Sequence, residues 1–477
     1  MQSQSARQIV ANARLGGFHF LLLGWCAFIV LFDGYDLVVF GALVPTLMNE
    51  WHLSAVQMGT LGSMALVGML IGALVMGPLA DRKGRRFVLL ICTVLFSVMS
   101  CLSAFAPNAL VFSALRLLTG IGLGGAIPNA VALTDELSPG NHRGIMVTAV
   151  MAFYAVGGML SATVAMFVIP QVGWRPTLYF AAIPLIALPL MFRTLPESVS
   201  FLLLAGRLDA AVKTIRRIDP SSRFDPPITS TTAMAAHPGG AIPVVALFGD
   251  GRLRRTLLTW LVSAMCMLLV YGLNTWLPRL MVSGGYPLVS SLSFLMLLNA
   301  GAVVGGLFGG WLSDRFGTRE TLIVFFIGAA VSLAALGTKP TPTLLSILLL
   351  VAGASTIGAL SIFASFVAQA YPVEIRSTAV SYSSAAGRFG AMAGPLLGGL
   401  ILGMGLPFFQ NFLAFAAPAL LGAIALVALG KTTAGDPSTS AGFKVLKANT
   451  VSDRLNPITD FVDVSRTSEK QNHADLK

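Results

Sequence analysis

The sequence predicts an all-α membrane protein of twelve transmembrane helices in two six-helix bundles. Three observations predict it: a composition too apolar for a water-soluble domain, twelve apolar stretches of spanning length, and polar signposts repeated at one constant spacing. The 477-residue chain is 55% hydrophobic and 11% charged, with 49 glycines and a mean hydropathy of +0.80. Soluble domains do not carry that balance. A stretch of about 20 apolar residues crosses a ~30 Å hydrocarbon layer as a helix, the form that satisfies its backbone internally.

In chain order, residues 1–17 are polar, carry Arg7 and Arg14, and precede no small-residue cleavage site, so they read as a cytoplasmic tail. The first bundle is expected over 18–193, with spans at 18–46, 57–80, 87–106, 109–135, 144–170 and 174–193. Residues 194–251 form a cytoplasmic linker. Its start, "LPESVSFLLLAGRLDAAVKTIRRID", is amphipathic and is expected to lie on the membrane surface; the following "DPPITSTTAMAAHPGG" offers too little to fold. The second bundle is expected over 252–429, with spans at 252–282, 287–313, 320–338, 342–370, 377–403 and 408–429, and residues 430–477 form a polar cytoplasmic tail.

The duplication shows in "GPLADRKGRR" and "GGWLSDRFGTRE", whose Asp81 and Asp314 are 233 positions apart. The same offset pairs Pro45 with Pro278, Gly77 with Gly310, Arg82 with Arg315, Gly84 with Gly317 and Arg86 with Arg319. It also pairs Pro107 with Pro340, Gly120 with Gly353 and Arg143 with Arg376. Because six is even, both copies enter the membrane in the same sense.

The net charge of +11 suggests nucleic acid in a soluble protein, but its distribution excludes that reading. Away from span ends, only Arg116 and Arg388 lie inside spans; Arg175, Arg279 and Lys339 lie on one side and the other 26 basic residues on the opposite side. That asymmetry places both termini in the cytoplasm. Cys26, Cys92, Cys101 and Cys266 all fall within spans at no metal or redox spacing and read as reduced packing residues. There is no G-x-x-x-x-G-K-[ST], which disfavours an ATP-driven pump, and no cofactor, metal or catalytic constellation is expected.

Several motifs carry a family resemblance. "GPLADRKGRR" resembles the signature loop between the second and third helices of the major facilitator superfamily, "RLLTGIGLGGAIPN" its fourth-helix motif, and "LPESVSFLL" the segment after its sixth helix. "FDGYDLVVFGALVPTL" in the first span is similar to the aromatic acid:H⁺ symporter family, where a D-G-x-D pair is characteristic, and the wider match looks closest to its benzoate transporters. The resemblance implies the major facilitator fold, with the first, fourth, seventh and tenth spans lining a central cavity, and import of an aromatic carboxylate with protons. The partners it implies are that acid (benzoate or a hydroxybenzoate type), protons and the lipid bilayer, with a monomeric chain in a bacterial inner membrane. "DRFGTRE" keeps only part of the basic run of the first copy. "YPVEIRSTAVSYSSAAGRFG" resembles sugar porters, which leaves another organic solute as a rival, and a receptor on the same scaffold is a second.

Asp33 and Asp36 stand in the first span with no lysine or arginine within 15 residues. A carboxylate at the centre of a hydrophobic helix costs roughly 2.5–3.5 kcal/mol even on the mildest scale. At the repeat offset Asp33 corresponds to Cys266, Asp36 to Leu269 and Arg116 to Leu349, so the second copy builds its bundle without any of the three. At ~1.5 Å per residue the three lie at comparable depth, and the two acids share a helix face. Proton coupling is therefore expected at Asp33, Asp36 and Arg116; the alternative is a static ion pair joining the first and fourth spans. Arg388, near mid-membrane in the eleventh span, is a candidate for the substrate carboxylate, which an arginine holds with two parallel bonds; the alternative is a gating contact.

Further candidate binding residues are Arg116, Tyr35, Tyr154, Trp276 and Tyr382, with Phe153, Phe363 and Phe389 as additional ring walls and Asn274 and Asn299 as polar partners. Packing is an equal alternative for any single aromatic. Gating is expected around Asp81, Arg82, Gly84 and Arg85, with Arg85 pairing Asp135 or Glu136 and Asp81 facing the start of the eleventh span. The second copy contributes Asp314, Arg315, Glu374 and Arg376. The alternative is that "DRKGRR" marks only topology and a tight turn.

Overall fold

In a computed structural model of the chain, described over residues 6–219, 244–249, 251–372 and 375–430, the described residues are helices and connections without strands. A short helix α1 (Ala6–Asn12) precedes the first bundle: α2 (Gly17–Glu50), α3 (Ala55–Lys83), α4 (Arg85–Ser103), α5 (Ala109–Leu137), α6 (Arg143–Val172), and a broken sixth span of α7 (Arg175–Tyr179), a 3₁₀ turn and α8 (Ile183–Thr194). Linker helices α9 (Val199–Leu204) and α10 (Leu208–Ile218) follow. The second bundle comprises α11 (Leu253–Ser283), α12 (Leu288–Phe316), α13 (Thr318–Leu336), α14 (Pro342–Ala370), α15 (Arg376–Gly403) and α16 (Phe408–Ala428). Twelve of these segments are long and apolar enough to cross a membrane.

Half of the spanning helices, α2, α3, α5, α6, α12 and α15, outrun the apolar stretches that announce them. Hydropathy reports where hydrocarbon ends, whereas caps report where the helix ends. Thus α3 starts at Ala55 because Ser54 accepts from the Gln57 backbone while the Gln57 side chain accepts from the Ser54 backbone. It runs on to Lys83, where Gly84 at φ 97° turns the chain into α4. Gly317, at φ 96°, does the same between α12 and α13.

The linker helix α10 packs its apolar face on protein. Its apolar face, Ala211, Ile215 and Ile218, is buried, and the two isoleucines cluster with Ile9 and Val10 of α1 and Leu137 of α5. A protein surface is available to that face, so lipid is not needed to cover it.

The duplication is visible in three dimensions as repeated close helix crossings. A Cβ at Gly68 would sit 2.0 Å from the Leu117 carbonyl oxygen; at Gly301, 233 positions on, it would sit 2.1 Å from that of Leu350, the counterpart of Leu117. Gly120 against Ala65 (2.0 Å) recurs as Gly353 against Leu298 (1.8 Å), and Gly157 against Leu31 (1.9 Å) as Gly390 against Ala264 (2.0 Å). Helices without an aqueous hydrophobic drive between them associate through such small-residue contacts.

The bundles meet at the end remote from the termini. There Ser63 donates to the Met392 carbonyl at 2.8 Å, Thr163 approaches the Met296 sulfur at 3.5 Å, and Cβ atoms at Gly59 and Gly399 would lie 2.5 Å from the carbonyls of Pro395 and Ala55. At the terminal end Asp81, Arg82, Asp314 and Arg376 are exposed and make no ion pair among the described residues. Bonds and close approaches between the bundles thus gather at the end remote from the termini.

Gly68→Val and Gly301→Val should each lower folded yield and melting temperature in detergent, since backbone on the facing helix blocks the new side chain. Gly77→Ala and Gly310→Ala, where nothing lies within 4 Å, should leave both unchanged. Equal effects at all four positions would show that the close crossings do not hold the bundles together.

Candidate functional site

The D-G-x-D stretch lies in the middle of α2, and each of its four residues meets a different neighbour. Gly34 lets α2 close on α6: a Cβ there would sit 2.1 Å from the Tyr154 carbonyl oxygen, so no other residue fits without moving backbone. Tyr35 donates its hydroxyl to the Thr177 carbonyl at 2.7 Å and is fully buried. It therefore braces α2 against α7 and does not line a cavity.

Asp36 and Arg116 form one closed unit. Arg116 Nη2 lies 2.6 Å from Asp36 Oδ2 and 3.0 Å from the Asp36 carbonyl, and Nη1 lies 3.2 Å from Oδ1. Ser100 of α4 donates its hydroxyl to the same Oδ1. The fork geometry suits a carboxylate, and burial of both partners (1% and 0% exposed) removes the water that weakens surface pairs. The pair ties α2, α4 and α5 together.

Asp33 is the opposite case. It is fully buried, and neither carboxylate oxygen has a hydrogen-bond partner. The charged groups acting on it are Arg388 of the second bundle and Asp36. Arg388 is partly buried and makes no hydrogen bond or ion pair among the described residues. Tyr154 of α6 and Tyr271 of α11 meet between the bundles, where both line one small cavity. The three charges grouped from sequence thus separate into a buried ion pair, in which only Arg116 Nε lacks a partner, and an acid with no hydrogen bond at either oxygen.

Beside this group is a cavity of about 20 Å³, lined by Leu37, Val38, Phe40, Gly62, Ala65, Leu66, Arg116, Tyr154, Tyr271, Asn274 and Thr275. It has room for one or two waters and not for a ring. Its walls come from α2, α3, α5, α6 and α11, so α14, the tenth span, contributes nothing to it. Asn274 donates to the Val270 carbonyl at 2.8 Å and accepts from Asn299 at 3.1 Å; Asn299 Oδ1 is buried without a partner. Trp276 is buried with its indole nitrogen on the Pro395 carbonyl at 2.8 Å. Phe363 packs on Phe366, whereas Phe153, Tyr382 and Phe389 are exposed.

In the loop between α3 and α4, Arg85 pairs with Glu136 at 2.8 Å and donates to the Ala132 carbonyl at 2.8 Å, while Asp135 pairs with Arg143 at 3.5 Å. Glu136 also accepts from the Ser198 hydroxyl and the Ser200 backbone. A Cβ at Gly84 would sit 2.2 Å from Glu197, which accepts from the Arg86 backbone. Arg315 lies over the Trp311 ring at 5.7 Å. In this conformation Asp81 does not touch α15. Glu374 lies outside the described residues.

Four residues of this network were not singled out from sequence. Ser100 corresponds to Leu333 at the repeat offset, so the asymmetry that exposes Arg116 also finds it. Glu197 and Ser198 lie within "LPES", whose role is to clamp the loop after the second span. Tyr271 carries no sequence signal, because only the approach of α6 and α11 brings it to Tyr154.

Two six-helix bundles with a buried ion pair and an unpartnered acid in one of them are the arrangement of a membrane transporter, and the relatives of the chain are transporters. The chain matches the family model "Major Facilitator Superfamily" over residues 26–337 and 293–463. It is 35% identical over 425 residues to the benzoate transport protein of Acinetobacter baylyi, covering 88% of this chain and 91% of that one. It is 36% identical over 413 residues to the gentisate transporter of Corynebacterium glutamicum, covering 86% of each. The inward-open xylose transporter of E. coli superposes with a TM-score of 0.69 at 19% identity, over 88% of this chain and 98% of that one. The chain belongs to the major facilitator superfamily and, within it, to the aromatic acid:H⁺ symporter family.

Arg116→Ala should destabilise the purified protein by about 3–5 kcal/mol, because it leaves Asp36 buried without its counter-charge. Asp36→Asn combined with Arg116→Gln should recover much of that loss, as read from detergent melting curves across the double-mutant cycle. Additive losses would show that the two groups do not act as a pair.

Proposed function

We propose that this chain is a proton-coupled importer of an aromatic carboxylate, working by alternating access in a bacterial inner membrane with both termini in the cytoplasm. The observation that carries the reading is the contrast between Asp36, whose carboxylate takes three hydrogen bonds from Arg116 and Ser100, and Asp33, three residues away, whose carboxylate takes none. A carboxyl group without hydrogen bonds in a buried site is suited to carry a proton. Arg388 supplies a cation that no carboxylate among the described residues has claimed.

The two groups form a switch. With no substrate, Arg388 is the opposite charge that Asp33 faces across the bundles. A substrate carboxylate on Arg388 takes that charge, and Asp33 then holds a proton at its carboxylate oxygen. The loaded carrier is compensated and can rearrange; loss of the proton and then of the acid on the cytoplasmic side restores the starting state. The Asp36–Arg116 pair keeps α2 and α5 in register through the cycle. Relatives that transport benzoate and gentisate support the substrate class, and the asymmetry of basic residues supports the orientation.

Uptake of labelled benzoate by cells should stop with a protonophore at unchanged ATP. Survival under protonophore with loss on ATP depletion would overturn proton coupling. In proteoliposomes, Asp33→Asn should lose accumulation against a gradient but keep exchange of labelled for unlabelled acid, since exchange never requires the empty carrier to return deprotonated. If Asp33→Asn accumulates substrate with the parent's pH dependence, this acid is not the proton site. Asp81→Asn should slow uptake while leaving substrate binding to the purified protein intact, because Asp81 is exposed at the terminal end of α3 and not at the site. Joint loss of both in correctly folded protein would argue against a gating role.

A further inference from the structure

Of the three basic residues at the end remote from the termini, two are engaged. Arg175 holds Glu50 at 2.8 Å, and Lys339 donates to the Gly284 carbonyl at 2.8 Å with its ammonium 5.0 Å from the Phe408 ring. The third, Arg279 near the end of α11, is partly buried and makes no hydrogen bond or ion pair among the described residues. It borders a pocket of about 240 Å³, below the roughly 300 Å³ at which pockets for drug-sized ligands begin and suited to a single ring.

The other walls of that pocket are chemically specific. Phe408 supplies an aromatic face, Met48 and Leu402 add apolar contact, and the edge of the otherwise buried Trp276 closes the wall. Asn411, only 4% exposed, donates its Nδ2 to the Leu406 carbonyl at 3.0 Å, which fixes the amide and leaves its Oδ1 buried without a donor. A buried acceptor left unpaired costs stability unless a ligand or water satisfies it. At the repeat offset Arg279 corresponds to Thr46 and Asn411 to Leu178, so the first bundle has neither group. The only acidic residue in the connections at this end, Glu50, is already paired with Arg175, which leaves the pocket's field positive.

We propose that this pocket is a second binding site, separate from the central one, for a hydroxylated aromatic carboxylate. The carboxylate pairs with Arg279, the ring lies against Phe408 and the Trp276 edge, and the ring hydroxyl donates to Asn411 Oδ1. The ligand class rests on the proposed function; the cation, the aromatic walls and the orphaned acceptor do not. Because Met48 and Ala55 come from the first bundle and the other walls from the second, the site is complete while this end is closed.

Equilibrium dialysis of the detergent-purified full chain with labelled 4-hydroxybenzoate or labelled benzoate tests the site. The parent should bind two molecules of 4-hydroxybenzoate per chain, and Arg279→Gln should bind one. Asn411→Leu should weaken the second site for 4-hydroxybenzoate about tenfold, the worth of one buried hydrogen bond, and leave benzoate binding there unchanged. One molecule per chain in the parent, or two in Arg279→Gln, overturns the proposal. So does displacement of the second molecule by chloride as readily as by 4-hydroxybenzoate, which marks a site for any anion. If Arg279→Gln fails to fold, the selectivity change in Asn411→Leu decides the question. A single retained central site strikes only this proposal, whereas a parent that binds no aromatic acid at all strikes the functional reading as well.

Discussion

The buried pair between Asp36 and Arg116 is the interaction on which the rest of the site depends. Ions in a low-dielectric interior each carry a desolvation penalty of several kcal/mol, and only near-ideal geometry offsets it. Here the guanidinium meets both carboxylate oxygens and the Asp36 backbone, and Ser100 supplies a further donor. With Arg116 occupied, Asp33 has no cation of its own within the first bundle. Its nearest compensation lies across the interface at Arg388. A local ion pair thereby makes the charge balance of the molecule a property of both bundles.

Function resides in the departures from the internal repeat. What builds a bundle occurs twice: the crossing glycines Gly68 and Gly301, Gly120 and Gly353, and Gly157 and Gly390, and the turn glycines Gly84 and Gly317. What handles charge occurs once. Asp33, Asp36, Ser100 and Arg116 are confined to the first bundle and correspond to Cys266, Leu269, Leu333 and Leu349 in the second. Arg388, Arg279 and Asn411 are confined to the second. Duplication supplies two matched frames, and single charged residues on facing helices divide the work between them.

Much of this was legible in the sequence, because membrane helices write their burial into composition. Twelve spans, the repeat and the polarity of the buried ion pair follow from hydropathy, a constant offset and the cost of charge in hydrocarbon. The pairing of Arg85 with Glu136 was one of two alternatives the loop spacing allowed, and clamping of Glu136 by Ser198 and Ser200 selects it. Other features depend on approach in space. Spacing puts Asp33 and Asp36 on one face, yet a helix side is broad enough for one to meet α5 while the other meets the second bundle. Amphipathicity shows that α10 has an apolar face but cannot distinguish lipid from α1 as its cover. The meeting of Tyr154 with Tyr271 joins residues 117 positions apart on helices of different bundles, and no local pattern encodes it.

The central claim is that Asp33, and not Asp36, exchanges a proton with substrate occupancy. The most direct measurement is proton uptake when an aromatic acid binds to the purified chain in weakly buffered detergent solution, followed with a pH-indicator dye alongside direct measurement of bound acid. The parent should take up protons as the acid binds, and Asp33→Asn should bind the acid with no proton uptake. Unchanged proton uptake in Asp33→Asn, at parent-like occupancy, would contradict the account.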